Sequence, residues 1–428
     1  MALTTTSVLS AGVNIVYDKS FLRQADFSVL LARHGQKRDL PKGEGKTVSF
    51  FRYNPIDISV STSKLTEGTN PTTPLSITGQ NLTATVAEWG DFSKHSKLLK
   101  MTHIDRDLKG VVGLWGDHAG KTIDLQTWME VCANGAYPWR ADGNVSGDGA
   151  YTFEGTVDSA TTTTIVDTDC SANATFGDAN DDLNQSVVVM LTGTSKGQAR
   201  AVTDYVTASG TITVSPAFDV TPVAGDTFIV VSAHGLTSGT DILDTGVIRG
   251  AVAKLRNNGA TPISAGFYVG ILDPDTEANL MADTNWLNVM QYKDRPEIKT
   301  GGLFRGEVGE WGGIRWVRTT QPFRFPITTV GTAGSSYGVG ANNVGSTYTN
   351  YSASGAVHSS LILGKEAFGV TTFKGEPGSA MKPGIIIKNP GPQDTSNPLN
   401  MYSTVGWYLP YVCKALNPLF AIQVWSTP

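Results

Sequence analysis

The chain has 428 residues, of which 17% are charged, and a formal net charge of −5 at pH 7. This balance argues against a dedicated nucleic-acid-binding protein, because such domains are usually strongly basic. Its 3 cysteines are far apart and indicate neither a disulfide framework nor a zinc site, which fits a reducing compartment. We find no secretory signal and no apolar run of the ~18 residues that a membrane span needs. A soluble, unsecreted protein of two or three domains is therefore expected.

The first 45 residues carry short apolar groups among turn-forming and charged residues. This composition predicts an arm that lies on other surfaces rather than a domain with its own core. Basic residues outnumber acidic ones here, and a basic arm on an acidic chain suits a polyanion such as DNA. A solvated face with local ion pairs explains the same residues equally well. The candidate DNA-facing residues are Arg23, Arg33, Lys37 and Arg38.

Residues 46–53 and 82–89 alternate between apolar and polar side chains, which predicts two paired strands. Residues 55–78, between them, are rich in Ser, Thr, Pro and Gly, and so long a loop is uncommon within a compact domain. We therefore expect a finger that is ordered by burial on a neighbouring subunit. Reversing the charge of Arg52 is expected to weaken assembly more than folding. The candidate intersubunit residues are Arg52, Lys64, Leu65, Thr66, Glu67 and Gly68.

Apolar side chains recur at steps of three and four residues from 92 to 135, the period of a helix with one buried face. Glycines within this stretch each weaken a helix by about 1 kcal/mol relative to Ala. They predict either the close approach of another backbone or a break near Gly120. A second stripe, at 238–258, predicts another helix, capped by Thr240 or Asp241.

The composition changes between these two helices to short β-prone runs separated by Gly, Asp, Asn and Pro. These runs have the spacing of a small sandwich or barrel. We expect an acidic all-β domain inserted into a loop of the surrounding fold, so that its removal leaves the rest able to fold. The runs are 162–166, 186–191, 197–203, 210–214 and 226–231.

The remainder of the chain is mostly strand-like, with a short helix near 277–291. Arg315 follows two glycines on a predicted strand and is flanked by Ile314 and Trp316. Its guanidinium is therefore expected to be partly buried and to need a carboxylate, for which Glu307 and Glu310 are the nearest candidates. The predicted strands are 266–272, 314–319, 358–370, 384–388 and the segment from 402 to 425.

Motifs that would carry chemistry are missing from the sequence. The 6 histidines lack the spacing of a metalloprotease helix, and there is no nucleophile elbow and no Walker loop. His103 with Asp105 reads best as a helix start, and Asp178, Asp181 and Asp182 lack the glycine and glutamate of a calcium loop. We predict no catalytic residue, no metal site and no cofactor.

Eight short motifs, taken in order, resemble the major capsid proteins of tailed bacteriophages with the Hong Kong 97-type fold, in the branch typified by coliphage N-four. They are LP at 40–41, GKTVSF at 45–50, LTEGTNP at 65–71, VAEWGD at 86–91, YVGILDP at 268–274, GEVGEWGGIRWV at 306–317, LGKEAFG at 363–369 and TVGW at 404–407. The resemblance is colinear over nearly the whole chain. Only the β-rich insertion lies outside it.

The resemblance implies an α+β fold with seven segments. They are an N-terminal arm at 1–45, an E-loop at 46–91, a peripheral domain with a spine helix at 92–140, an inserted all-β domain at 141–236, a peripheral-domain helix at 237–260, an axial domain at 261–398, and a C-terminal return to the peripheral domain at 399–428. Some relatives crosslink an E-loop lysine to a neighbour's asparagine. Lys64 lies in this loop, but the sequence identifies no partner, so no bond is predicted.

The resemblance also implies a structural shell protein rather than an enzyme, located in the virion capsid and assembled in the host bacterial cytoplasm. The protein partners would be copies of itself in hexamers and pentamers, with adjacent subunits contacted through the N-arm and E-loop, and also a portal and possible scaffolding or decoration proteins. Packaged DNA would be bound non-specifically, and no membrane partner is expected. Because DNA repels acidic groups, the acidic insertion is expected on the outside of the shell.

Two other functions compete with this one. The first is a phage tail or fibre component whose β domain binds carbohydrate; the insertion's few aromatic residues lie at strand spacing and are better explained as core. The second is an extracellular β-rich hydrolase, which the missing signal and the lack of paired acids in a recognisable setting disfavour.

Overall fold

A computed structural model shows a mixed α/β fold. It describes residues 29–41, 43–53, 67–68, 77, 79–102, 109–134, 136–143, 152–171, 180–181, 183–184, 186–196, 198–215, 217–232, 240–263, 266–286, 307–319, 323–326, 356–373, 383–388 and 401–427.

The described residues form five α-helices and twenty-one strands, numbered in chain order. The helices are α1 Lys97–Thr102, α2 Lys109–Asn134, α3 Thr168–Ser171, α4 Thr245–Asn257 and α5 Pro274–Ala282. The strands are β1 Gln36–Leu40, β2 Thr47–Tyr53, β3 Gly79–Thr85, β4 Ala87–Ser96, β5 Tyr137–Arg140, β6 Thr152–Thr156, β7 Ser159–Ala160, β8 Thr164–Val166, β9 Val187–Met190, β10 Ala199–Val206, β11 Thr211–Ser215, β12 Thr227–Val231, β13 Tyr268–Leu272, β14 Glu307–Trp311, β15 Ile314–Arg318, β16 Phe323–Pro326, β17 Ala356–Leu363, β18 Phe368–Phe373, β19 Gly384–Lys388, β20 Tyr402–Ala415 and β21 Ala421–Ser426.

A five-stranded sheet is built around β20, whose 14 residues pair antiparallel with β4, β18 and β19, while β1 joins β18 in parallel. Helix α2 packs on one face of this strand. The Trp407 indole N–H donates to His118 Nδ1 at 3.1 Å, and the Tyr411 hydroxyl lies 2.6 Å from Thr127 Oγ1. Because Trp407 and Tyr411 are buried, their polar atoms need these partners inside the protein.

A seven-stranded sheet runs β14-β15-β13-β17-β21-β5, with β16 also on β17. Its central strand β13 is buried at every residue, as expected for a strand covered on both faces. Only glycine fits at position 270 of β13, because a Cβ there would overlap the indole ring of the fully buried Trp316. The C-terminal strands β20 and β21 thus join sheets that also contain β4 and β5 from the N-terminal third of the chain.

The third sheet also has seven strands, in the order β6-β12-β9-β10-β11-β8-β7, and it includes strands at all five positions where the sequence predicts them. One face carries its own apolar cluster, which includes Phe153, Tyr205 and Phe228. The other face contributes Val187, Val189, Ala199, Ile229 and Val231 to the cluster that holds α2 and the other two sheets. This sheet is therefore built onto the body of the subunit. That its removal leaves the rest able to fold stays a prediction, and the shared core argues against it, because removal would take these five side chains out of the main cluster.

Two buried arginines fasten this sheet to its surroundings. Arg140, at the point of entry, is fully buried and donates to the Ser232 carbonyl at the point of exit and to the Asp142 carboxylate. Arg200 pairs with Asp219 at 2.8 Å, and Asp219 also accepts from Lys414 of β20 at 3.0 Å. Buried guanidinium groups need such partners. Arg140 thus links the two ends of the sheet segment, and Arg200 holds Asp219 where Lys414 of β20 binds it.

Strands β2 and β3 form a two-stranded hairpin, which confirms a paired base. Its register places Val48, Phe50, Leu82 and Ala84 on a buried face that packs on Leu40 and Leu416. The second predicted strand, 82–89, in fact spans two strands, because the chain leaves β3 after Thr85 and pairs with β20 from Ala87 onward. Most of the predicted finger lies outside the described residues.

The long helix begins later than its period predicts. Residues 92–96 belong to β4, because their backbone groups pair with β20, and the described helical residues of the stripe are those of α1 and α2. The predicted break near Gly120 is wrong, since α2 runs unbroken from Lys109 to Asn134.

The two later helices lie close to their predicted positions but have other boundaries. Helix α4 is capped by Asp244, whose carboxylate accepts from the Val247 N–H at 2.7 Å, and neither Thr240 nor Asp241 serves as its cap. Helix α5 starts at Pro274, earlier than predicted, because Asp273 caps it. No helix in these described stretches is long and apolar enough to cross a membrane.

Gly270→Ala tests the packing of β13. The added methyl group overlaps the Trp316 ring, so we expect a loss of about 1–3 kcal/mol in the free energy of unfolding. Thermal unfolding of the purified chain measures this. Gly113→Ala is the matched control, because no atom lies within 4 Å of its added Cβ and Ala favours the α2 helix, so it should stabilise by about 0.5–1 kcal/mol. Equal effects of the two changes would contradict the packing argument.

Candidate intersubunit surfaces

The exposed face of the β2–β3 hairpin carries two aromatic rings. Phe51 and Tyr53 are 59% and 72% exposed, whereas Phe50, directly before Phe51 on β2, is buried. Their rings meet edge to face with centroids 4.9 Å apart. Gly79 lies opposite, on β3, and a Cβ there would overlap the Phe51 ring. The alternation of β2 thus presents an aromatic pair to the outside of the subunit.

A second apolar patch lies on the β4-β20-β19 sheet, on the face opposite α2. Phe92, Gly406 and Ile386 form one row across the three strands. Phe92 is 60% exposed and Ile386 51% exposed. Gly406 lets Phe92 lie across the row, because a Cβ at Gly406 would come 2.6 Å from the Phe92 Cβ. Lys94 borders the patch, with its Nζ 5.9 Å from the Phe92 ring centroid.

One strand connects the two surfaces. The side chains of Val412 and Leu416 pack on the apolar cluster of the hairpin, so the hairpin covers the C-terminal end of β20. Val412 and Gly406 are an even number of residues apart on β20 and so lie on the same face. The hairpin therefore covers one end of a sheet face whose other end, around Gly406, stays open to solvent.

Arg52 lies in a cavity of about 660 Å³ between the hairpin and the body of the subunit. Its guanidinium donates to the Leu416 carbonyl at 3.0 Å, to Gln80 Oε1 at 2.8 Å and to the Lys196 carbonyl at 3.0 Å. Burial lowers the pKa of Arg52, and the Asp219 carboxylate opposes that shift. Arg52 thus joins the hairpin, β20 and the β9–β10 turn within one subunit, which differs from the intersubunit contact expected from the sequence.

The other predicted finger residues are only partly described. Glu67 and Gly68 form an exposed turn in which Gly68 has a φ of +76°, a conformation that favours glycine. Lys64, Leu65 and Thr66 lie outside the described residues.

The predicted basic arm is partly docked on the subunit. Arg38 donates to the Ser49 carbonyl of the hairpin at 2.7 Å, and its guanidinium lies 5.7 Å from the Phe50 ring centroid. Lys37 is exposed on β1, and Arg33 is half-buried in the 3₁₀ turn that precedes it. Arg23 lies outside the described residues. These contacts of Arg38 lie within the subunit, and the DNA-facing role of the four residues stays a prediction.

Arg315 lies on β15 directly opposite Glu310, one of its two predicted partners, while Glu307 lies opposite Val317. The strands are joined by Gly312 and Gly313, whose φ angles of +65° and +83° suit the tight turn of a two-residue hairpin. The Arg315 guanidinium also lies 5.3 Å from the Phe267 ring centroid, which favours the planar side chain of arginine. The role predicted for Arg315 remains a prediction.

Asp273, Asp275 and His358 are close enough for their ligand atoms to share an ion. However, Asp273 Oδ2 lies 2.6 Å from His358 Nδ1, and its Oδ1 accepts from the Thr276 N–H at the start of α5. These contacts give the buried carboxylate a structural role as a helix cap.

Sequence reasoning missed the exposed residues Phe51, Tyr53, Phe92 and Ile386. Alternation along β2 placed Phe50 and Phe51 on opposite faces but did not say which face is buried. For Phe92, the helical period predicted a place on the long helix, whereas the residue lies on strand β4. A strand signal was present in the alternation of residues 87–96, but it competes with the helical stripe that follows.

Arg52→Glu tests whether Arg52 acts within the subunit. Loss of its donated bonds leaves buried acceptors unpaired, so we expect the free energy of unfolding of the unassembled chain to fall by about 2–4 kcal/mol. Thermal unfolding measures this. Lys121→Glu, which alters an exposed pair with Asp117, is the control and should change it by no more than about 0.5 kcal/mol. If Arg52→Glu kept normal thermal stability but no longer assembled, Arg52 would instead act between subunits.

Arg315→Lys tests the planar contact of Arg315. The charge is kept, but the guanidinium plane over Phe267 and its fork of donors are lost, so we expect a loss of about 1 kcal/mol. Thermal denaturation of the purified variant provides the comparison. An unchanged midpoint would remove the structural role.

Residues 251–383 match a family model described as phage capsid protein. No curated protein is similar enough to the chain to count as a relative. Among solved structures, the capsid of Ralstonia phage GP4 is similar with a TM-score of 0.50 and 14% identity, over 92% of this chain and 87% of that one.

Two further capsid structures are similar at lower scores. That of Helicobacter pylori bacteriophage KHP30 has a TM-score of 0.46 and 9% identity, over 92% of this chain and 88% of that one. That of cyanophage P-SCSP1u has a TM-score of 0.43 and 13% identity, over 92% and 86%. The GP4 likeness shows the fold, which is the Hong Kong 97-type capsid fold. The match over residues 251–383 and this shared fold support a phage major capsid protein and do not favour a tail or fibre component.

Proposed function

We propose that this chain is the major capsid protein that assembles into the icosahedral shell of a tailed phage and encloses its double-stranded DNA. The observation that carries the proposal is the match of residues 251–383 to the phage capsid family, on a chain with the matching fold. In this proposal the chain acts as a structural protein without catalysis and is assembled in the bacterial cytoplasm before it becomes part of the virion.

The two exposed apolar surfaces support self-association. A monomeric soluble protein rarely exposes a contiguous apolar patch larger than roughly a few hundred Å². A specific interface buries more than ~1,000 Å². Phe51 and Tyr53 lie on the exposed face of the hairpin, and Phe92 and Ile386 lie on the open part of the β4-β20-β19 sheet. A subunit with two exposed apolar patches can contact more than one neighbour, as hexamers and pentamers of a closed shell require.

The hairpin fits the base of the proposed E-loop. Arg52 fixes it to β20 and to the β9–β10 turn, so the chain between β2 and β3 starts from a rigid support. We infer that residues 54–78 reach across an adjacent subunit, and that the intersubunit part of the N-arm is confined to residues before Val29, since Val29, Leu31 and Ala32 belong to the subunit core.

The third sheet is proposed to face the outside of the shell. Exposed carboxylates on it include Glu154, Asp158, Asp169 and Asp204. On the inside, these charges would lie close to packaged DNA and be repelled over a Debye length of ~8 Å. Outside, they help to keep particles apart. Contacts with a portal, scaffolding proteins and DNA belong to the same proposal.

The double variant Phe51→Ser with Tyr53→Ser tests the role of the hairpin face. Both side chains are exposed, so we expect thermal stability of the unassembled chain to change little, within about 0.5 kcal/mol per site, while shell formation falls sharply. Sedimentation velocity measures the fraction of chain in shells.

Phe50→Ala, on the buried face of the same strand, is the matched control. It should destabilise the subunit by about 3–5 kcal/mol. Normal assembly of the double variant would contradict an intersubunit role for this face.

A further inference from the structure

The cavity between the hairpin and the subunit body has a lining of two kinds. Cationic side chains line it from three elements, namely Arg38 of β1, Arg52 of β2 and Lys196 of the β9–β10 turn. Its volume of about 660 Å³ lies within the range of ~300–1,000 Å³ that is usual for small-molecule sites. The apolar part of the lining includes Phe50, Leu82, Leu416, Leu419 and Phe420. Such a cavity suits a ligand with one charged end and an apolar body.

The charge of Arg52 is not balanced by its own hydrogen bonds. Its guanidinium donates to two backbone carbonyls, those of Leu416 and Lys196, and to the side-chain amide oxygen of Gln80, all of which are neutral. Its Nε is buried and has no hydrogen-bond partner among the described residues. A buried guanidinium is best stabilised by a carboxylate, so these neutral contacts leave the positive charge of Arg52 largely uncompensated.

The nearby carboxylate is already occupied. Burial lowers the pKa of Arg52, and Asp219 is the acid that opposes this shift. However, Asp219 is bound by Arg200 at 2.8 Å and by Lys414 at 3.0 Å. One carboxylate shared in this way cannot neutralise a third cation, so the region keeps an excess of positive charge on a chain whose net charge is negative.

Arg38 adds a second cation with a neutral partner. Its guanidinium donates to the Ser49 carbonyl at 2.7 Å, and its side chain is exposed, so an incoming anion can reach it. Glu366, in the turn between β17 and β18, is the acidic side chain in the described lining. It is exposed and has a φ of +64°, a conformation that few residues other than glycine adopt. The described lining therefore carries more positive than negative charge.

We propose that this cavity binds an organic carboxylate, whose charged group pairs with Arg38 and balances the charge of Arg52 while its apolar body packs on Phe50 and Leu416. A neutral ligand leaves the charge of Arg52 as it is. A phosphate brings more charge and more acceptor atoms into a partly apolar cavity than these side chains can serve. The carboxylate can come from a free organic acid or from an acidic side chain of a protein segment.

Occupation of the cavity has a consequence for the hairpin. The lining joins β1, β2, the β9–β10 turn and the segment that follows β20, so a bound carboxylate contacts the hairpin and the subunit body together. Because the ligand binds the folded chain, it should also raise the midpoint of thermal unfolding. This inference concerns the unassembled chain and does not depend on the proposed function.

Isothermal titration calorimetry of the purified, full-length, unassembled chain tests the site. The probe is 3-phenylpropionate, and 3-phenylpropanamide is the control ligand, since it has nearly the same shape and no charge. We expect the acid to bind about tenfold more tightly than the amide, and its binding to weaken as salt is added. Equal binding of the two ligands, or no binding of the acid, would overturn the proposal.

Three variants at exposed positions locate the binding. Arg38→Gln removes the cation that meets the ligand and should weaken binding of the acid by about threefold to tenfold. Glu366→Gln removes the acidic side chain of the lining and should strengthen it by about twofold to fivefold. Lys37→Gln is the matched control: it removes the same charge next to Arg38 on β1, but outside the described lining, and should change the affinity by no more than about twofold. Equal effects of Arg38→Gln and Lys37→Gln, or weaker binding in Glu366→Gln, would place the ligand elsewhere and overturn the proposal.

A second probe distinguishes the two sources of the carboxylate. The capped dipeptide acetyl-Phe-Glu-amide presents the same charged and aromatic groups on a peptide backbone. Tighter binding of the dipeptide than of 3-phenylpropionate, with the same response to Arg38→Gln, would support an acidic protein segment as the natural ligand. Weaker binding of the dipeptide would support a free organic acid. If neither probe binds, the carboxylate site is wrong.

Discussion

The packing of α2 on β20 is the interaction on which the rest of the subunit depends. Trp407 and Tyr411 reach the helix from one face of the strand, and both carry polar atoms that the helix satisfies through His118 and Thr127. Both edges of β20 are then occupied by β4, β18 and β19. Because the odd-numbered residues of β20 around Trp407 face α2, the pleat of the strand places its even-numbered residues on the opposite face of the sheet.

That opposite face connects the fold to assembly. At one end it carries Val412, on which the hairpin packs, and at the other it carries Gly406, beside which Phe92 and Ile386 remain open. The hairpin in turn exposes Phe51 and Tyr53 because Phe50 is held inside. The proposed intersubunit surfaces therefore follow from a single choice of which face of β20 meets α2. Arg52 keeps the hairpin in a fixed position on that face.

Several features could be predicted because they depend on local pattern. The hairpin base, most of α2 and the strands of the third sheet follow from period and turn residues. The start of the long helix could not be predicted from its period alone. Residues 87–96 form a strand because their backbone groups pair with β20, which lies about three hundred residues away in the sequence, and the apolar period of a helix carries no information about such a partner. The Val187–Met190 run is apolar at every position, which is typical of a strand buried on both faces. The expectation of a separate inserted domain did not take this signal into account. The partners of Arg52 at Leu416 and Lys196 lie far away in sequence, so its role was not accessible from local pattern.

The most direct test of the central claim is electron cryo-microscopy of the purified full-length chain. The account predicts closed shells in which this chain occupies every lattice position, with α2 packed on β20 in each copy and with the hairpin aromatics against a neighbouring subunit. Tubes, fibres or a chain that remains monomeric under conditions that promote assembly would contradict it.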